Sequence, residues 1–108
     1  MTKLTLLIDD LREIDVDLIA RNGEAGVQAL ASLKGEIDTL YLDHDLGEDS
    51  ISGYSVATIA LTDGTMPPTV ILVTSNPVGR DNIIAALKQF GYTNRAGEMT
   101  TWRKDCSF

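Results

Sequence analysis

Short apolar runs alternate with segments of helical period along this chain. Leu4 to Asp9, Asp15 to Ala20, Thr39 to Asp43 and Thr69 to Thr74 read as strands. Asn22 can cap a helix over Glu24 to Leu33, where Val27, Leu30 and Ala31 share a face and Gly35 supplies the stop. A second helix over Gly53 to Leu61 puts Tyr54, Ala57 and Leu61 on one side, before Gly64 and Pro67-Pro68 break the pattern. The third, Asp81 to Phe90, carries Ile83, Leu87 and Phe90 at helical spacing and ends at Gly91. Strands that alternate with helices predict an α/β architecture with a mainly parallel sheet.

Two stretches break the alternation. Leu11 to Ile14 is too short for the helix that normally links neighbouring parallel strands, so the first two strands either pair antiparallel or are joined by a tight irregular connection. From Thr93 onward the period weakens, and an edge strand is expected around Glu98 to Trp102. Trp102 beside Arg103 and Lys104 has the chemistry to stack on a base, but a lone tail tryptophan is better read as a packing anchor.

The 108 residues fit one domain, residues 1–108, with a single core. Composition narrows the partners. With 9 basic against 16 acidic residues, a net charge of −7, the average surface repels a phosphate backbone, which excludes nonspecific nucleic-acid binding. A small phosphate-bearing ligand stays possible, because a bound divalent ion and a few local cations reverse the field inside one pocket. The lone Cys106 has no internal disulfide partner and reads as an ordinary tail residue, consistent with a reducing compartment. The start of the chain lacks the pattern of a signal peptide and the apolar runs are too short to span a bilayer, so a cytoplasmic protein without membrane association is expected.

Candidate chemistry gathers at the strand ends. Asp9-Asp10 closes the first apolar run, and Leu42-Asp43-His44-Asp45-Leu46-Gly47 closes a later one around the only histidine. In a parallel sheet both sets of carboxylates face the same carboxyl edge. Carboxylates gathered there repel unless a cation offsets them, and Mg²⁺, which takes oxygen ligands and keeps several waters, is the natural one for Asp9, Asp10 and Asp43. His44, flanked by acids, is a candidate general acid or base, and Asp45 can return by alternation to the side of Asp43. Thr74-Ser75-Asn76-Pro77-Val78-Gly79 ends a strand with hydroxyls, an amide and a glycine just before a helix, where backbone N–H groups can cradle an anion. Arg12 and Arg80 lie just past two strand ends and can clamp a phosphate. Each feature has a plainer reading as strand-end solvation, helix capping or turn chemistry.

The order of features resembles a response-regulator receiver domain. It more closely resembles the cyclic-phosphate processing receiver-like family, small domains on a trimmed receiver fold. Four motifs carry the likeness: Asp9-Asp10-Leu11-Arg12, the LDHDLG run from Leu42 to Gly47, Gly53-Tyr54, and the NPVG turn from Asn76 to Gly79. The resemblance implies a three-layer, flavodoxin-like, mostly parallel sheet of four or five strands without the first receiver helix. The receiver likeness also implies metal-binding acids at Asp9 and Asp10, the phosphate-accepting position at Asp43 and a hydroxyl site at Thr74. One position departs: Val73-Thr74 stands where the family pattern has His-Ser ahead of NPVG.

The expectation is a Mg²⁺-dependent phosphoesterase-like domain that acts on or binds a cyclic phosphate of a nucleotide, an RNA terminus or a ribose metabolite. Asp9, Asp10 and Asp43 hold the ion; Asp43, His44 and Asp45 do the chemistry; Arg12, Thr74, Asn76 and Gly79 bind phosphate. The alternative is a receiver-derived binding module for a phosphate ligand or a protein partner, without turnover, and a relay that takes phosphate on Asp43 ranks behind both. The likeness suggests a bacterial or phage source. Oligomeric state is not legible in the sequence.

Overall fold

A computed structural model describes residues 3–104, so Cys106 lies outside the described residues. Its order is β1 (Leu4–Ile8), β2 (Leu18–Ala20), α1 (Gly23–Ser32), β3 (Ile37–Leu42), α2 (Gly53–Asp63), β4 (Thr69–Leu72), α3 (Pro77–Gln89) and β5 (Thr101–Arg103). The five strands form one sheet in the order β2-β1-β3-β4-β5, parallel except for the final antiparallel pair. This is the receiver-like, flavodoxin-like α/β arrangement, with the first receiver helix missing.

Alternation along the strands builds the core. Leu6, Leu40, Val70 and Trp102 lie in register across four strands, as do Ala20, Ile8, Leu42 and Leu72, and all belong to the buried cluster. The helices cover that face as neighbours, α1 on α2 and α2 on α3. Each begins with a side-chain cap: Asn22, Ser52 and Asn76 accept from the backbone N–H three residues on. The alternate residues, among them Leu7, Tyr41, Ile71 and Thr101, line the opposite face, where no described helix lies. Right-handed crossovers put the helices on one face and send the opposite-going β1–β2 connection across the other.

That connection resolves the anomaly between the first two strands. They pair parallel, and residues 9–17 join them without a helix. Side chains take the helix's place. Asp9 Oδ1 accepts from the backbone N–H of Leu11 and of Arg12, both at 3.0 Å, which folds the chain sharply after β1. Arg21 Nη1 then donates to the Arg12 carbonyl at 2.8 Å and fastens the loop to the end of β2. At the far end Asp17 Oδ2 accepts from the Thr5 N–H at 2.8 Å, so a side chain takes over from the backbone ladder and β2 starts at Leu18 rather than at Asp15.

The tail returns to the sheet as β5, with Trp102 paired to Val70 and 6% exposed, under Lys88 Nζ at 5.7 Å from the ring centroid. It is a packing anchor, as its isolation in the sequence suggests. Trp102→Ala should cost about 3–5 kcal/mol, because removing a buried indole leaves a cavity under β4. Chemical denaturation measures it, and a loss under about 1 kcal/mol would mean that β5 is not part of the folded core.

Candidate active site at the carboxyl edge of the sheet

Parallel register puts the ends of β1, β3 and β4 side by side. Ile8, Leu42 and Leu72 are aligned partners, and the ladder runs one step further: the Asp43 N–H donates to the Ile8 carbonyl at 3.0 Å and the Val73 N–H to the Leu42 carbonyl at 3.1 Å. Asp9, Asp10 and Asp43 therefore converge, each offering a carboxylate oxygen within 4.8 Å of the others. Asp9 is 2% exposed, while Asp10 and Asp43 are half-buried.

Arg12 crosses this cluster. Its Nη1 donates to Asp9 Oδ2 at 3.1 Å and to the Val73 carbonyl at 2.5 Å. Since β3 lies between β1 and β4, a bridge from the β1 loop to the end of β4 passes over the end of β3, where Asp43 sits. Its Nη2 and Nε have no partner among the described residues, and the side chain is 41% exposed. Arg80, by contrast, lies 3.9 Å from Asp81 on α3 and takes no part in the cluster.

Burial pushes the Asp43 carboxyl above its ordinary value. The His44 backbone N–H, at 2.8 Å from Oδ1, and the Thr74 hydroxyl pull it down; the Asp9 charge adds to the rise and the Arg12 charge opposes it. Three carboxylates against one guanidinium leave two negative charges uncompensated when all are ionised. The donor set fits Mg²⁺: hard oxygens only, and a residual charge equal and opposite to that of the ion. An ion with bonds of ~2.1 Å spans at most ~4.2 Å between opposite ligands, so a spread of up to 4.8 Å suits one or two direct carboxylates with water completing the shell.

His44 points elsewhere than the acids. Its ring lies against the first turn of α3, so close that a Cβ on Gly79 would fall 2.3 Å from His44 Cγ and 2.5 Å from Nδ1. Only glycine leaves room there. Gly53 is equally confined, its missing Cβ 2.0 Å from the Asp43 carbonyl, while its N–H donates to the His44 carbonyl at 2.8 Å. His44 Nδ1 is 3.1 Å from Asp45 Oδ1, and Asn76 Nδ2 reaches Asp45 at 3.4 Å. Asp45 thus joins His44 and Asn76 rather than the three-acid cluster.

One end of the NPVG turn takes the plainer duty the sequence offered, a helix cap, and the other a duty it did not suggest. Asn76 Oδ1 accepts from the Gly79 N–H at 3.0 Å and Pro77 opens the helix, so α3 starts four residues before the expected Asp81. Gly79 thereby spends its N–H inside the cap and lies under an imidazole. Among the candidates for anion contact, Arg12 and Thr74 stand at the acid cluster and Asn76 and Gly79 at His44. Beside both groups lies a depression of about 410 Å³, reached by Asp10, His44, Asp45, Glu48, Ser50 and Ser52.

The model of the cyclic-phosphate processing receiver domain matches residues 4–89. The chain belongs to that family. A comparison with curated proteins found no match. In this receiver-like domain the matched span holds every residue of the acid cluster, the His44 group and the Arg12 bridge. Val73, where the resemblance expects a histidine, holds Arg12 through its backbone carbonyl, a contact independent of the side chain. By strand alternation that side chain shares a face with Asp9 and Asp43, so the valine removes a possible proton carrier from their side and leaves the Arg12 anchor. Among the described residues no helix is long and apolar enough to cross a membrane.

Two outcomes follow from this geometry. A carboxyl raised on folding binds its proton more tightly in the folded chain, so without metal stability falls as pH rises from 3.8, the ordinary Asp43 value, through the raised one. Asp43→Asn should therefore raise the metal-free melting temperature at neutral pH. It should also remove most of the Mg²⁺-induced rise of the wild type, worth about 2.7 kcal/mol at ~100 Kd of ion. Differential scanning fluorimetry with and without Mg²⁺ reads both, and an unchanged Mg²⁺ increment in the variant would remove Asp43 from the ion's surroundings. Second, Gly79→Ala should displace the His44 imidazole and shift its ring proton resonances, while the Mg²⁺ increment stays that of the wild type.

Proposed function

We propose that this domain opens a cyclic phosphodiester to a phosphomonoester with Mg²⁺ held at Asp9, Asp10 and Asp43. The observation that carries the reading is the convergence of those carboxylates beneath an arginine, in a chain whose family processes cyclic phosphates. Bound Mg²⁺ supplies positive charge to the phosphoryl oxygens and a template for the substrate. The chain's own groups do the rest. Arg12 offers its remaining N–H donors to the equatorial oxygens above Asp43, and the Thr74 hydroxyl, hydrogen-bonded to Asp43, becomes a further donor when the phosphoryl group takes its place.

In the reaction the oxygen of water bonds to phosphorus while the bond to one ring oxygen breaks. Water gives up a proton and the departing alkoxide gains one, so the diester and water balance the monoester. The proton carrier in this reading is His44, whose Nδ1 lies 3.1 Å from Asp45, itself steadied by Asn76, and whose Nε2 has no partner among the described residues.

A second reading, a binding module without turnover, is favoured by Val73, which offers no proton on the face of Asp43. One experiment separates the two. A cyclic phosphate is incubated with the protein and Mg²⁺ and followed by phosphorus NMR. Ring opening that stops on chelation, and that falls about 10²–10⁴-fold in His44→Ala, supports the esterase. Mg²⁺-dependent binding without consumption supports the module, and neither binding nor consumption removes both.

A further inference from the structure

We infer that the organic part of the ligand is a small polyhydroxylated group, a base-free sugar cyclic phosphate, and not the end of a nucleic-acid strand. The inference rests on the cyclic-phosphate reading and concerns the depression beside the acids. At about 410 Å³ it has the size of a small-molecule pocket. Its chemistry is one-sided. The hydroxyl of Ser50 is engaged with the Gly23 N–H and the Ile51 carbonyl, and that of Ser52 caps α2. Asp10 goes to the ion and His44 to the proton; what else remains open to a ligand is carboxylate, since Glu48 has no hydrogen-bond partner among the described residues and Asp45 shares its oxygens only with His44 and Asn76.

Ionised carboxylates accept hydrogen bonds and donate none, so the complementary surface is rich in donors, as sugar hydroxyls are. A nucleobase finds no counterpart there. The one aromatic ring that lines the depression, the His44 imidazole, is packed against Gly79 and held at Nδ1 by Asp45, and the one apolar side chain in its wall, Leu46, is 4% exposed, so an open face for the stacking that normally holds a base is missing. Tyr54, 41% exposed on the first turn of α2, lies outside the lining. An oligonucleotide fares worse, since each further phosphate approaches this carboxylate wall on a chain of net charge −7.

The test compares three probes with the full chain and Mg²⁺: a methyl riboside cyclic phosphate, the corresponding nucleoside cyclic phosphate, and a short oligonucleotide ending in a cyclic phosphate. Calorimetry should show the base-free riboside binding at least as tightly as the nucleoside. The oligonucleotide should bind on the order of tenfold more weakly at low ionic strength, a gap that narrows with salt. Glu48→Lys should shrink the riboside's advantage over the oligonucleotide by several-fold at low salt. Tighter binding of the nucleoside or the oligonucleotide, or an advantage that Glu48→Lys leaves unchanged, overturns the inference and leaves the cyclic-phosphate reading standing. If none of the three probes binds, that reading falls and the inference falls with it.

Discussion

Mutual repulsion of three carboxylates gathered at one sheet edge is the constraint on which the rest of the structure turns. Parallel pairing of β1 with β3 aligns their ends, and each strand delivers acid at the point where it leaves the sheet. Like charges held within 4.8 Å of one another raise the free energy of the folded state unless something positive stands among them. Arg12 supplies part of the offset, and it does so by reaching across β3 to the end of β4. The remaining negative charge, together with the burial that lifts the Asp43 carboxyl, is what a divalent cation held there would offset.

The absent first helix is tied to the same feature. In a longer receiver-type domain a helix would follow the acidic pair; here Asp9 serves both as the floor of the acid cluster and as the cap that folds residues 9–17 back into β2. One buried carboxylate thus does two jobs, and the tightness of the turn is what brings Arg12 over the site. The sheet face that the helix would have covered carries the fully buried Leu7, while the main hydrophobic cluster lies between the sheet and α1 to α3.

Much of this was legible in the chain. Strand-end acids, the capping Asn22 and the glycine stops are local signals, and the local structure follows them. What escaped were effects in which one segment meets the backbone of another. The Val73 carbonyl that anchors Arg12 belongs to no side-chain motif, and nothing along the sequence says that β1 and β4 flank β3. Asn76-Pro77-Val78-Gly79 reads as a capped turn ahead of a helix from Asp81; the cap is at Asn76 and the helix starts at once, so Pro77 to Gly79 are helical. Gly79 reads as part of an anion cradle, yet the missing Cβ makes room for His44, a contact between residues far apart in the chain. Glu48 carries no motif at all and gains meaning only from the depression it lines.

The central claim is that one divalent ion belongs among Asp9, Asp10 and Asp43. Crystals soaked in Mn²⁺, which shares the oxygen preference of Mg²⁺ and scatters anomalously, test it most directly. A single strong anomalous peak is expected within bonding distance of at least one of these carboxylates, with Arg12 still bridging Asp9 and the Val73 carbonyl. A fully occupied peak elsewhere on the chain, or none at this edge with manganese in excess, would contradict it.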